Sequence, residues 1–307
     1  MKLTDKIFVS GHRGMVGSAL LRILTEQGYS NIITSLIDLR NQRDVNSFFA
    51  NEQPQYVFLP AGKVGGVKAN NSLRGEFIYD NIMIEANVIN AAKNNGVQKL
   101  LFTGSSCIYP KSSRQPIKEE YLLTGELEPT NEPYAVAKIA GIKLCQAYHH
   151  QYGCNFICAM PTNSYGPNDK YDLENSHVLP SLLRKIITAK NQNIPIVEIW
   201  GTGHPRREFL YVDDMAEALI FLMNNYDSPE IINVGTGQDI SIKDLACLIA
   251  EQVGYTGQFE FNGQLDGMML KRLDVTKINE LGWKATTSLT DGLKKTVECL
   301  AEAPKHW

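Results

Sequence analysis

Lys6-Ile-Phe-Val-Ser10 runs directly into Gly11-His-Arg-Gly14-Met-Val-Gly17, and a helical pattern follows over residues 18–27. The apolar run reads as a short buried strand, and the three- to four-residue spacing of the apolar positions after Gly17 reads as a helix. Glycines at such a turn let the backbone approach a pyrophosphate, which then meets the free amides of the helix start. The placement carries this reading more than the glycines do, because the turn heads a chain that goes on alternating. Residues 31–36, 55–61, 99–103 and 154–160 read as further strands, and residues 77–95 and 133–152 as long helices. That order predicts an α/β fold, a Rossmann-like doubly wound parallel sheet with ligands in the crevice outside the carboxyl ends of the strands.

The second strand ends without a carboxylate. An acid there would bond a ribose 2′-hydroxyl and repel a 2′-phosphate, so its absence, with Arg13 inside the glycine turn, points to NADPH. Arg13 as a solvated loop charge fits the residue type equally well. Asp38 is placed to meet the adenine. The third strand ends in the small residues Ala61 and Gly62, which leave room for a ligand, although Pro60 implies an altered strand end.

At 307 residues the chain is long enough for one elaborated domain or two intimate ones, and 43% hydrophobic content supplies a sizeable core. A formal net charge of −3 gives no basic field for nucleic acid or anionic lipid. We read no signal or transit pattern and no run of about 18 apolar residues, so a cytoplasmic protein without membrane partners is expected. The six cysteines form no C-x-x-C pair, which predicts a fold independent of disulfides and no metal site. Cys154 and Cys158 are expected on the buried face of one strand.

Tyr134 and Lys138 stand four apart in a helical pattern, one turn above each other on one face. A cation so close favours phenolate and draws the tyrosine hydroxyl toward useful acidity. The same spacing occurs in ordinary amphipathic helices, so its neighbours decide. Thr130-Asn-Glu-Pro133 signals the helix start with a capping side chain. Ser105, Ser106 and Cys107 leave the fourth strand at its crevice end, where Ser105 can bond a substrate carbonyl. Cys107 fits a small buried thiol as well as a base, and His177 fits a helix terminus as well as an acid.

Five blocks together resemble the GDP-L-fucose synthase family of the extended short-chain dehydrogenases/reductases: GHRGMVG at 11–17, KVGG at 63–66, GSSCIYP at 104–110, EPTNEPYAVAKIAG at 128–141 and NSHVLP at 175–180. The spacing G-x-x-G-x-x-G belongs to the same superfamily. The resemblance implies a bifunctional, NADPH-dependent 3,5-epimerase/4-reductase acting on GDP-4-keto-6-deoxy-D-mannose. Ser105, Tyr134 and Lys138 would serve reduction, with Cys107 as epimerising base and His177 as acid. Gly11, Arg13, Gly14, Met15, Val16, Gly17, Asp38, Leu39, Ala61, Lys138 and His177 would contact the cofactor. Asn163, Lys185, Trp200, Arg207 and Lys271 would contact the sugar nucleotide. A homodimer through helices 77–95 and 133–152 is also implied. Residues 1–165, with a return near 206–235, would form the NADP-binding domain, and 166–205 with 236–307 the nucleotide-sugar lobe.

Where that family usually shows Pro-Asp-Gly-Thr-Pro-Arg-Lys, this chain has Leu265-Asp-Gly-Met-Met-Leu-Lys271. The lost cation at Leu270 keeps a second reading open, a C4 reductase of a related GDP-4-keto sugar such as a heptose. A UDP-sugar 4-epimerase is disfavoured by Cys107, His177 and Arg13, and a non-enzymatic cofactor sensor by the full set of catalytic side chains. Replacing Arg13 with alanine should raise the Michaelis constant for NADPH far more than for NADH, since a charged hydrogen bond of about 1.5–3 kcal/mol is lost only with the phosphate. Steady-state kinetics with both cofactors checks this, and equal effects would overturn the assignment.

Overall fold

The computed structural model describes residues 1–173, 176–263 and 266–302. Asn175 of the NSHVLP block and Leu265 of the altered segment lie outside the described residues. In chain order the first half comprises β1 (Ile7–Val9), α1 (Met15–Glu26), β2 (Ile32–Ile33), α2 (Gln42–Glu52), β3 (Tyr56–Leu59), α3 (Val67–Ser72), α4 (Arg74–Asn94), β4 (Lys99–Thr103), α5 (Glu132–Tyr152) and β5 (Phe156–Pro161). The second comprises β6 (Asn163–Tyr165), α6 (Val178–Asn191), β7 (Ile196–Ile199), β8 (Arg206–Arg207), β9 (Phe209–Tyr211), α7 (Val212–Asn225), β10 (Ile232–Val234), β11 (Ile240–Ser241), α8 (Ile242–Val253), β12 (Gln258–Phe261), β13 (Leu270–Lys271), α9 (Thr276–Glu280) and α10 (Leu289–Glu302).

Six strands form the central parallel sheet in the order β10-β5-β4-β3-β1-β2. The chain leaves β1 toward β2 and returns on its other side as β3, so the topological switch lies between β1 and β3, where such sheets bind ligands. Strands buried on both faces must be apolar throughout, and Leu100, Leu101 and Phe102 of β4 and Phe156, Ile157 and Cys158 of β5 are all buried. α1 earns its place by periodicity: Ala19, Leu20, Ile23 and Leu24 form one buried stripe.

A second apolar core gathers Leu179, Leu183 and Ile186 of α6 with Leu245 and Ile249 of α8 and Leu293 of α10. Glu208, between β8 and β9, ties this part to the sheet. Its fully buried carboxylate accepts hydrogen bonds from the amides of Thr236 at 2.6 Å, Gly237 at 2.8 Å and Leu273 at 2.7 Å. Ser241 caps α8 as expected, its hydroxyl accepting from Asp244 N at 3.0 Å.

Several local expectations shift. β2 is a two-residue edge strand, not a six-residue one. β3 stops at Leu59, since Pro60 has no N–H to offer the ladder. Cys154 precedes β5 and is half-buried, so only Cys158 lies on its buried face. The expected helix 77–95 begins three residues earlier, at Arg74, behind the short α3.

α4 and α5 pack along each other, and Gly141 sets their approach. A Cβ there would lie 2.7 Å from Glu85 Oε2 and 2.7 Å from Phe102 Cζ. Gly141→Ala should therefore cost about 1–3 kcal/mol through overpacking, read as a lower urea midpoint at unchanged slope; an unchanged midpoint would mean the two helices separate freely.

Candidate active site

The glycine turn is shaped for a close ligand. A Cβ at Gly17 would fall 2.3 Å from the Gly11 carbonyl oxygen, so only glycine lets α1 start so near the turn. Gly14 is the N-cap of α1 and provides no side-chain cap, which leaves first-turn amides for an anion. Beside it is a cavity of about 210 Å³ lined by Gly11, Arg13, Gly14, Ser35, Leu39 and Ala61 among others. The residues fit a dinucleotide: a backbone cradle, small side chains at the strand ends and an exposed guanidinium at the rim. Met15, Val16 and Gly17 form the first turn of α1. Asp38 does not line this cavity. Arg40 takes both its carboxylate oxygens, at 2.9 and 2.8 Å, reaches Asp80 at 3.1 Å and holds the Asp38 carboxyl below the usual range. Ser35, two residues past β2, also lines the cavity and is missed by sequence reasoning because a lone serine carries no pattern.

The second cluster sits where β4 ends. Ser105 caps a short 3-10 turn over Ser106–Ile108, its hydroxyl accepting from Cys107 N at 3.2 Å, and it also hydrogen-bonds Tyr134. Lys138 lies one turn along α5, its Nζ 5.9 Å from the centre of the Tyr134 ring. Two unit charges about 6 Å apart at an effective dielectric of about 20 interact by about 3 kcal/mol, enough to pull a phenol down about two pKa units. The structure shows the opposite direction. Burial pushes the Tyr134 hydroxyl well above its usual value, and Cys107 and Glu85 push it further. The expected pull is cancelled because the ammonium pairs with Glu85 Oε1 at 3.1 Å while donating to the Thr103 carbonyl at 3.1 Å.

Cys107 Sγ accepts from Lys271 Nζ at 3.5 Å and from Asn131 Nδ2 at 3.6 Å. Asn131 was expected as a cap with Thr130. It is the N-cap of α5 by position, but its side chain makes no cap hydrogen bond and turns to the sulfur instead. His177 is the N-cap residue of α6, and Lys271 and Lys170 both act on it. Its pKa is pushed down to about 4, first by desolvation, then by Lys271 and Lys170. The residue is exposed, so the desolvation part is weakened by water, whereas the two cations act regardless of exposure. The imidazole is thus held in its neutral form at pH 7.

The substrate residues expected from sequence fall in two groups. Arg207 is half-buried, donates to the Arg206 and Met268 carbonyls at 2.9 and 2.6 Å, and interacts electrostatically with Cys107. Asn163 Nδ2 donates to the Glu208 carbonyl at 3.0 Å, on the same return segment. Lys185 and Trp200 pair with each other in the second part of the chain, the ammonium 5.0 Å from the indole centre. Asn131 and Glu85 are the site residues the sequence hid, the first as a cap signal and the second inside a helix pattern.

The NAD dependent epimerase/dehydratase family model matches residues 7–235. A putative GDP-L-fucose synthase 2 of Arabidopsis thaliana is 53% identical over 306 residues, covering 98% of this chain and 93% of that one. A GDP-L-fucose synthase of Escherichia coli strain K12 is 50% identical over 311 residues, covering 97% of each. The chain belongs to this family, in its GDP-L-fucose synthase branch. Among solved structures, a GDP-D-glycero-L-gluco-heptose synthase from Campylobacter jejuni, in the presence of NADPH, superposes with a TM-score of 0.93 at 38% identity, covering 98% of this chain and 99% of that one.

His177 should titrate with a midpoint below about 5.5 by NMR, against about 6.5 for an unperturbed imidazole. Lys271→Met should move that midpoint upward, because one of the cations opposing imidazolium is gone. A midpoint at or above 6.5 in the parent protein would overturn the assignment of a neutral imidazole.

Proposed function

We propose that the protein is a bifunctional, NADPH-dependent 3,5-epimerase/4-reductase that converts GDP-4-keto-6-deoxy-D-mannose to GDP-L-fucose. The observation that carries this is the convergence on one cleft of two chemically distinct sets: Ser105 bonded to Tyr134 above Lys138, and Cys107 held by Lys271, which also acts on His177. Reduction alone needs only the first set.

The Gly11–Gly17 turn, Ala61 and Lys138 would hold NADPH, with Arg13 and Ser35 at the 2′-phosphate, and the bound cofactor supplies the hydride to C4. Protons α to the C4 ketone are acidic, so Cys107 as base would remove one at C3 and then one at C5, passing each to solvent in turn, and His177, protonated from solvent as enolate charge develops beside it, would deliver a proton to the opposite face of each enolate. Ser105 then orients the C4 oxygen and Tyr134 protonates it, a role suited to a phenol held in its protonated form. Arg207 and Lys271, with Asn163, would face the GDP-sugar, its guanidinium fork matching phosphate oxygens. Lys185 and Trp200 would engage the nucleotide from the second core, which thereby serves as the sugar-nucleotide lobe. The exposed Tyr79, Val136 and Tyr152 on the paired α4 and α5 support a homodimer through these helices. No helix among the described residues is long and apolar enough to cross a membrane, and a cytoplasmic site of action suits a nucleotide-sugar substrate.

A second reading, C4 reduction of a GDP-4-keto-heptose, is favoured by the likeness to the Campylobacter heptose synthase. At 38% against 50–53% identity it ranks behind the deoxyhexose reading. Incubation with GDP-4-keto-6-deoxy-D-mannose in deuterated water separates them. Without NADPH the protein should wash deuterium into C3 and C5, and with NADPH it should give GDP-L-fucose. Cys107→Ser should abolish exchange, since a serine hydroxyl is far less acidic than a thiol. Tyr134→Phe should keep exchange and lose about a hundredfold or more of reduction. Reduction without exchange in the parent protein would hand the lead to the heptose-type reading.

A further inference from the structure

Glu85 is a carboxylate with no part in the chemistry described above, yet it stands directly beneath it. It lies on α4, is 1% exposed, and meets Lys138, itself 2% exposed, across the α4–α5 contact at 3.1 Å. Among the described residues neither of its oxygens has a hydrogen-bond donor of good geometry, and the Lys138 ammonium is the cation that pairs with it. A lone buried carboxylate is expensive unless its charge is used, and an apolar side chain of similar volume would serve packing at least as well. The space is nevertheless kept for it, since a Cβ at Gly141 would press on Oε2 and on Phe102.

We infer that Glu85 is a positioning residue for the reduction: the buried counter-ion that fixes the Lys138 ammonium against the Thr103 carbonyl and screens it from Tyr134. The inference rests on the proposed function only in assigning Tyr134 and Lys138 to reduction. Three contacts define the ammonium: Glu85 Oε1 and the Thr103 carbonyl, each at 3.1 Å, and the Phe102 ring centre at 4.7 Å. An ammonium so tied cannot swing toward the phenol. From α5, the titratable groups facing Glu85 are Lys138, Tyr134 and Cys145, and its field raises the last two. β4 contributes only the Thr103 carbonyl and the Phe102 ring. On its own helix, Asp80 lies more than a turn away and is engaged by Arg40 and Lys63. Burial raises the Glu85 carboxyl to about 7, with Lys138 drawing it back, so it is about half ionised at pH 7 and its charge is present in full only on the alkaline side, where the limb in question lies.

The consequence is directional. Donating a proton to a developing alkoxide requires Tyr134 in its protonated form, and an unscreened Lys138 would favour phenolate instead. In Glu85→Gln the ammonium loses its counter-ion and the phenol loses a neighbouring negative charge, and both changes act in the same sense. The alkaline limb of the pH profile for reduction should therefore move to lower pH by about one unit, with kcat at pH 8 down about tenfold or more. Deuterium exchange at C3 and C5 without NADPH should stay within about twofold of the parent, which also reports an intact fold. Glu85→Asp, which keeps the charge one methylene further back, should recover part of the limb shift.

The measurement is NADPH oxidation against pH, alongside the NMR exchange assay, for parent, Glu85→Gln and Glu85→Asp. An unmoved limb in Glu85→Gln, or equal losses of exchange and reduction in both variants, would overturn the inference while leaving the function standing. A parent enzyme that fails to reduce the ketone would instead sink the functional reading, and this inference with it.

Discussion

One ammonium group joins the elements on which the site depends. Lys138 links α5 to β4 through the Thr103 carbonyl and to α4 through Glu85, all away from water. Removing either side of a buried pair leaves the other charge uncompensated, a loss of about 3–5 kcal/mol, so the α4–α5 packing and the position of Tyr134 are energetically one feature. Gly141 allows the helices to come close enough for that pair, and the aromatic floor of Phe102 excludes competing water. This part of the cleft therefore rests directly on the buried core.

The other half is assembled from further along the chain. Lys271 comes from β13, Arg207 from β8 and His177 from the start of α6. Glu208 sets their register against the sheet by gathering amides from residues 236, 237 and 273 onto one carboxylate. β13 also pairs in parallel with β8, Lys271 opposite Arg207, so two cations face the cleft at a fixed spacing. Cys107 thus receives its flanking donors from α5 and β13, one from each side of the cleft.

Much of this was legible in sequence because the signals were local. The strand, glycine turn and helix at residues 7–26, the Ser105 and Cys107 segment at a strand end, and Tyr134 and Lys138 on one helix face each follow from spacing alone. What escaped depended on contacts between distant segments. Asn131 looked like a cap because cap residues are defined by their own helix, while its partner is a sulfur 24 residues away in sequence. Glu85 sits in a helix with no strong amphipathic pattern, where nothing local distinguishes a buried carboxylate from a solvated one. The pull of Lys138 on Tyr134 was misjudged for the same reason: the spacing reveals the cation, and only the fold reveals its counter-ion. β2 was overread because the apolar run around residues 31–37 continues past the point where the edge strand loses its partner.

The two parts of the cleft differ electrostatically, with cations gathered around Cys107 and His177 and burial dominant at Tyr134. Around Cys107 and His177 the nearby charges are Lys271, Lys170 and Arg207, which oppose an imidazolium and favour negative charge developing on a ligand beside them. At Tyr134 burial dominates, with Cys107 and the paired Glu85 adding to it, and the neutral phenol is favoured. Under the proposed function, a substrate whose C3 and C5 lie toward the first and whose C4 oxygen lies toward the second would be deprotonated on carbon and protonated on oxygen in separate regions of one site.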